Sequence, residues 1–193
     1  AMSNRAADIG QAWAASLTMG AGQFCTNPGV VLALKGEAFT ALQNAAITAL
    51  NASPAQKMLT DGIHSAYHSG VSALSKHATE VTGGQRADTP RHSHAAAFRV
   101  DADTWLKTPA LHHEVFGAAG VFVECDDAQQ MKDVAQALEG QLTITLQMDD
   151  GDTALAKEFL PIVEEKAGRL LCNGFPTGVE VCSAMMHGGP YPA

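Results

Sequence analysis

Apolar residues recur with helical spacing at the start of the chain. Ile9, Trp13 and Leu17 fall at i, i+4 and i+8, which predicts a helix over 3–19 with Ser3 as N-cap and Gly20 and Gly22 as its stop. A turn marked by Asn27-Pro28-Gly29 follows, and the unbroken apolar run from Val30 to Leu34 reads as a short buried strand. Phe39, Leu42, Ala46 and Leu50 share one face of a helix over 37–50. Ser53-Pro54, in cap-then-proline order, predicts the opening of another helix. Ile63, Tyr67, Val71 and Leu74 are in register on a helix over 62–77. Residues 81–94 are rich in turn formers, among them Gly83-Gly84 and Pro90, and 95–100 resumes as a strand.

The second half alternates more regularly. Strands over 120–125, 142–148 and 169–172 are separated by helices over 127–138 and 153–167. Helices between short apolar strands imply parallel crossovers, and hence an α/β fold in which helices cover both faces of a mainly parallel sheet, a layered αβα domain. Residues 173–193 read as loop, and the Gly188-Gly189-Pro190 ending suggests a chain cut from a longer one.

Composition narrows the classes. With 193 residues, 46% apolar and 17% charged, the chain can bury a core without staples. A net charge of −8 with only 12 Lys and Arg speaks against nucleic acid as partner, since phosphate neutralisation needs clustered bases. No window approaches 18 apolar residues, so no membrane partner is expected. The opening Ala1-Met2-Ser3-Asn4 has neither a basic nor an apolar leader region and looks like a start Met behind an expression scar. Cys25, Cys125, Cys172 and Cys182 could in principle form two disulfides, but they are widely spaced in a chain this long. They suit a reducing cytoplasm, with most of them buried thiols.

Cys25 carries the chemistry. It lies just past a glycine-rich helix end, in Gly22-Gln23-Phe24-Cys25-Thr26-Asn27-Pro28-Gly29. Thiols become nucleophiles where backbone donors, positive charge or a base stabilise the thiolate, and small neighbours admit a substrate carbonyl. An ordinary half-buried structural cysteine is the competing reading. The octapeptide resembles the active-site segment of the aldehyde dehydrogenase superfamily, whose catalytic cysteine stands at the position of Cys25. About ninety residues downstream, His113-Glu114-Val115-Phe116-Gly117 is similar to that family's Glu-x-Phe-Gly-Pro motif. The resemblance implies that Glu114 holds the nicotinamide ribose hydroxyls, as a two-oxygen acceptor can, and that Phe116 packs near the nicotinamide ring. Ala118 departs from the family's proline, which leaves the stiffness of this loop open. Without the pairing, Glu114 would be a solvated loop carboxylate and Phe116 a core aromatic.

A third segment is the most specific. Asn173-Gly174-Phe175-Pro176-Thr177-Gly178-Val179-Glu180-Val181, followed by His187-Gly188-Gly189-Pro190-Tyr191-Pro192-Ala193, resembles the bacterial ketoglutarate semialdehyde (2,5-dioxovalerate) dehydrogenases. By that resemblance Phe175 lines a substrate tunnel, although packing explains it equally well.

The resemblance covers essentially the whole chain and implies a thiol-bearing catalytic domain over 1–193. It also implies an N-terminal cofactor-binding domain and a C-terminal oligomerising strand that lie outside it. The activity implied is oxidation of an aldehyde to its acid, with NAD or NADP as cofactor, through a thiohemiacetal and then a thioester on Cys25. The family's Glu-x-Gly-Gly general base has no counterpart here, nor does a G-x-G-x-x-G fingerprint. These 193 residues alone are therefore expected to turn over aldehyde negligibly. The full-length protein is expected to be a homo-oligomer, and this chain alone to aggregate or pair through uncovered apolar surface.

His64-x-x-x-His68, His92-x-His94 and His112-His113 have spacings a metal could use, yet no carboxylate or cysteine completes a tetrahedral set, so no metal is expected. Two other functions compete. One is a cysteine hydrolase or acyltransferase with His187 as base, which requires His187 within hydrogen-bond reach of Cys25. The other is a non-catalytic interaction module with an incidental thiol, in which Cys25 reacts no faster than Cys125.

Overall fold

The computed structural model describes residues 2–178, 182–185 and 187–193, apart from the side chains of Met2 and Ser3. In chain order its elements are α1 (Met2–Thr18), β1 (Val30–Leu34), α2 (Glu37–Ala52), β2 (Gln56–Lys57), α3 (Asp61–Leu74), β3 (Thr79–Thr82) and β4 (His92–Ser93). There follow β5 (Ala96–Asp101), α4 (Ala102–Lys107), β6 (Ala119–Cys125), α5 (Ala128–Ala137), β7 (Gln141–Leu146), α6 (Thr153–Glu164) and β8 (Ala167–Cys172).

The main sheet runs β1-β6-β5-β3. β6 pairs in parallel with β1 and with β5, and β3 joins the far edge antiparallel. Alternation along β6 divides the core, because successive side chains of a strand point to opposite faces. Phe122 joins Trp13, Leu17, Phe39 and Leu42 of α1 and α2 on one face. Val121 and Val123 join Tyr67 of α3, Trp105 of α4 and Val134 of α5 on the other. This is the expected αβα layering. β7 and β8 form a separate parallel pair covered by α6, with Phe159 and Val163 buried. Arg5 of α1 clasps that pair by binding the Asp149 carboxylate at 2.9 Å and the Met148 carbonyl at 3.0 Å.

Three local expectations are corrected. No helix opens at Ser53-Pro54. Instead the Ser53 hydroxyl donates back to the Ala49 carbonyl at 3.0 Å and closes α2, with proline just beyond the end, where it cannot continue the helix. The chain then enters β2, paired with β4. Ser3 lies inside α1 rather than at its cap, since the helix is already formed at Met2. Cys125 is buried, but Cys172 and Cys182 are exposed, so the cysteines are not mostly interior thiols. Among the elements with little sequence signal are the two-residue strands β2 and β4, edge strand β3 with an irregular register between Glu80 and Thr82, and the short helix α4. The last is capped by Asp101, which accepts from the Thr104 amide at 2.8 Å.

Candidate functional site

Two left-handed residues end the first helix, Gly20 at φ +57° and Ala21 at φ +58°, and Gly22 follows at φ +69°. They turn the chain sharply so that Phe24, Cys25 and Thr26 form a turn, closed by the Asn27 amide donating to the Phe24 carbonyl at 3.0 Å. Trp13 fixes where that turn sits. Its indole N–H donates to the Pro28 carbonyl at 2.9 Å, and its ring covers Gly120 so closely that a Cβ there would lie 2.5 Å from it. Thr26 is buried, its hydroxyl donating to the Pro176 carbonyl at 3.2 Å. Cys25 itself remains exposed.

The loop carrying Glu114 and Phe116 is bound to this turn directly. The Asn27 side-chain amide donates to the Gly117 carbonyl at 2.8 Å. A Cβ on Gly22 would lie 2.2 Å from both the Gly117 carbonyl carbon and the Ala118 nitrogen, so glycine is needed for the backbones to approach. Tyr67 supports the loop from below, its hydroxyl 2.8 Å from the His94 carbonyl and 3.2 Å from that of Ala118. These contacts restrain the loop that Ala118, standing in place of proline, left open.

Cys25, Glu114, Phe116 and Phe175 all line one cleft of about 1180 Å³. Glu114 is exposed, as a solvated loop carboxylate would also be, whereas Phe116 keeps 38% of its surface accessible and is not the core aromatic it could have been. Phe175 lines the cleft and also packs on the core beside α1 and α2. β1 and β7 line the same cleft, and Val30 and Leu34 of β1 are partly open.

His187 meets the thiol from outside the residues that line the cleft. Its Nε2 is 3.1 Å from Cys25 Sγ, the contact required by a cysteine hydrolase. Asn27, Tyr67 and Gly22, which hold the thiol turn and the Gly117 loop together, were read from sequence only as turn, helix-face and helix-stop residues and not as site residues. Gly22 and Asn27 stood inside the thiol octapeptide, whereas nothing local marks Tyr67. Of the paired histidines, the rings of His64 and His68 meet edge to face with centroids 4.7 Å apart, and His68 Nε2 meets the Ser93 hydroxyl at 2.7 Å. Burial and then the nearby Arg86 and His64 push His68 down to about 4. Among the described residues, no three His, Cys, Asp or Glu are grouped closely enough for a metal. Also among the described residues, no helix is long and apolar enough to cross a membrane. Cys125 is buried, and burial, then the neighbouring Asp126, push its thiol up to about 11.

No family model matches the chain. Over its whole length it is 48% identical to alpha-ketoglutaric semialdehyde dehydrogenase 2 of Azospirillum brasilense and 38% identical to alpha-ketoglutaric semialdehyde dehydrogenase of Acinetobacter baylyi. It spans 37% of the length of each of these relatives. Among solved structures it is similar to a 1-pyrroline-5-carboxylate dehydrogenase, with a TM-score of 0.78 at 17% identity, over 95% of this chain and 36% of that one. It is similar also to a putative methylmalonate-semialdehyde dehydrogenase from Sinorhizobium meliloti complexed with NAD. There the TM-score is 0.75 at 17% identity, over 94% of this chain and 39% of the other.

Proposed function

We propose, on the premise that the chain is a stretch of an aldehyde dehydrogenase, that it supplies the thiol-bearing catalytic part of an NAD- or NADP-dependent enzyme. The substrate is ketoglutarate semialdehyde, oxidised to the corresponding acid. The observation that carries this reading is the convergence of Cys25, Glu114, Phe116 and Phe175, distant in sequence, on one cleft.

The chemistry follows from the residues. The Cys25 thiolate attacks the aldehyde carbon, and the resulting oxyanion meets the backbone amide of the same residue. Glu114 would hold the ribose hydroxyls of a bound nicotinamide cofactor, and the exposed ring of Phe116 would offer its nicotinamide a flat apolar surface. When bound, the nicotinamide group supplies the hydride acceptor. The acyl group left on Sγ is a thioester, which water hydrolyses with help from a general base outside these 193 residues.

Protection tests the assignment. Ketoglutarate semialdehyde should slow iodoacetamide labelling of Cys25 and leave Cys172 and Cys182 unaffected. Equal labelling with and without the aldehyde would remove Cys25 as its binding thiol. In a polypeptide that also carries a cofactor-binding half, Cys25→Ser should abolish nicotinamide reduction. The 193 residues alone should give no reduction above buffer background, and measurable turnover would refute the assignment of the base to sequence elsewhere.

One observation favours a second reading. The 3.1 Å approach of His187 to the thiol supports a cysteine hydrolase or acyltransferase. That reading expects catalytic hydrolysis of a small thioester by this chain with no nucleotide present. Stoichiometric acylation without turnover counts against it.

A further inference from the structure

We infer that His187 is the proton acceptor for Cys25, so that the chain activates its nucleophile and forms a reversible thiohemiacetal with an aldehyde before any nucleotide or the water-activating base of thioester hydrolysis takes part. The inference rests on Cys25 being the nucleophile and adds a catalytic role for a residue on a different segment of the chain.

The geometry is built from both sides. Sγ and Nε2 are 3.1 Å apart, hydrogen-bond distance for a pair that includes sulfur, and both residues are exposed. The thiol side is fixed by the Trp13 and Asn27 contacts described above. The imidazole side is fixed by the backbone that follows it. A Cβ on Gly168 would lie 1.7 Å from the Gly188 oxygen, one on Gly140 would lie 1.8 Å from the Pro190 oxygen, and one on Gly189 would lie 2.4 Å from the Gln141 oxygen. Segment 188–191 is thus pressed, backbone to backbone, onto the starts of β7 and β8. On the preceding side Pro176 and Thr177 are tied to Thr26 and Ser16. The backbone directly after His187 is therefore anchored, and the His187 nitrogen meets Cys25, the thiol that lines the cleft among the described residues.

The step balances without an oxidant. With the imidazole proton on Nδ1, Nε2 accepts the proton from Sγ. The sulfur pair bonds to the aldehyde carbon, the carbonyl π pair moves to oxygen, and Nε2 returns the proton to that oxygen. The product is a neutral thiohemiacetal, and reversal regenerates thiol and aldehyde. Imidazole suits the task because it takes up and releases a proton near neutral pH.

Other titratable groups lining the cleft are Lys35, Glu37, His112, His113, Glu114, Glu139 and Asp152. Lys35 pairs with Asp126 at 2.6 Å, and the His112 ring is engaged with the Trp105 carbonyl at 2.9 Å. His113 is exposed in the same cleft and serves as the control.

The test is iodoacetamide alkylation of the intact chain from pH 5.5 to 9, with peptide mapping of each cysteine. A free thiol is only about 1% thiolate at pH 6.5, so an imidazole-paired Cys25 should react on the order of tenfold faster there than Cys172 and Cys182. His187→Gln should bring Cys25 down to their rate and give it their pH profile, whereas His113→Gln should change neither. Gly168→Ala, which keeps the imidazole but displaces its anchor, should also slow Cys25 while the fold persists by circular dichroism. If Cys25 is fast in the wild type and equally fast with the same profile in His187→Gln, the histidine role is overturned and the nucleophile stands. If Cys25 is as slow as Cys172 and Cys182 in the wild type, the activated nucleophile itself is lost.

Discussion

Replacing Gly22 by alanine tests how the site is assembled. The new methyl would sit 2.2 Å from Gly117 carbon and Ala118 nitrogen and 2.5 Å from Ala118 Cα. These are backbone atoms of the loop that carries Glu114 and Phe116, so no side chain can rotate away. Holding a non-glycine residue at φ +69° costs on the order of 1 kcal/mol, and pushing packed backbone apart adds about 1–3 kcal/mol. The sum, about 2–4 kcal/mol, is a large part of the stability usual for a single domain. Urea unfolding followed by circular dichroism reads it as a lower midpoint at unchanged slope. The matched control is Gly174→Ala, where a Cβ meets nothing within 4 Å and the midpoint should move by less than about 0.5 kcal/mol. If Gly22→Ala cost less than about 1 kcal/mol, the close approach of the thiol turn and the Gly117 loop would not be a constraint, and the account of how the site forms would fail.

Tyr67→Phe keeps the buried ring but orphans the His94 carbonyl, and should cost about 1–2 kcal/mol in the same urea assay. An unchanged midpoint would count against the hydroxyl as the support beneath the loop. Cys125, buried and raised to about 11, should resist iodoacetamide at neutral pH until the chain is unfolded, which quantitative peptide mapping can follow. Stability should also fall with acid through His68. Its folded value of about 4 lies below the ordinary value of 6.5, so between these limits the unfolded chain binds a proton that the folded chain refuses. The stabilisation is complete above pH 6.5 and is lost progressively toward pH 4, and because the ring is part-exposed the loss stays well under ~1.4 kcal/mol per pH unit. His68→Gln should flatten the urea midpoint across that window, and an equally steep decline in the variant would exclude His68 as its source.

Much of the molecule follows from local pattern. The apolar runs that became β1, β5 and β6 and the helical registers of α1, α2, α3 and α5 could be read directly, because each element buries a stripe whose period its backbone sets. Cys25, Glu114 and Phe116 were likewise visible, since their neighbours restrict the chemistry they can do. Ser53-Pro54 misled because the same residue types close one helix as readily as they open another, and only the Ser53 bond back to Ala49 decides. Edge strand β3 has too few apolar residues to announce itself, and its partner β5 defines it. The sequence could not place His187 beside Cys25, which lies 162 positions away, or bring Asn27 to Gly117 across 90. Those distances depend on how α1, the sheet and the β7–β8 pair pack together, and packing is a property of residues remote in sequence. What the sequence determined alone was the thiol and the motifs around it; what the tertiary structure decided was which groups reach that thiol.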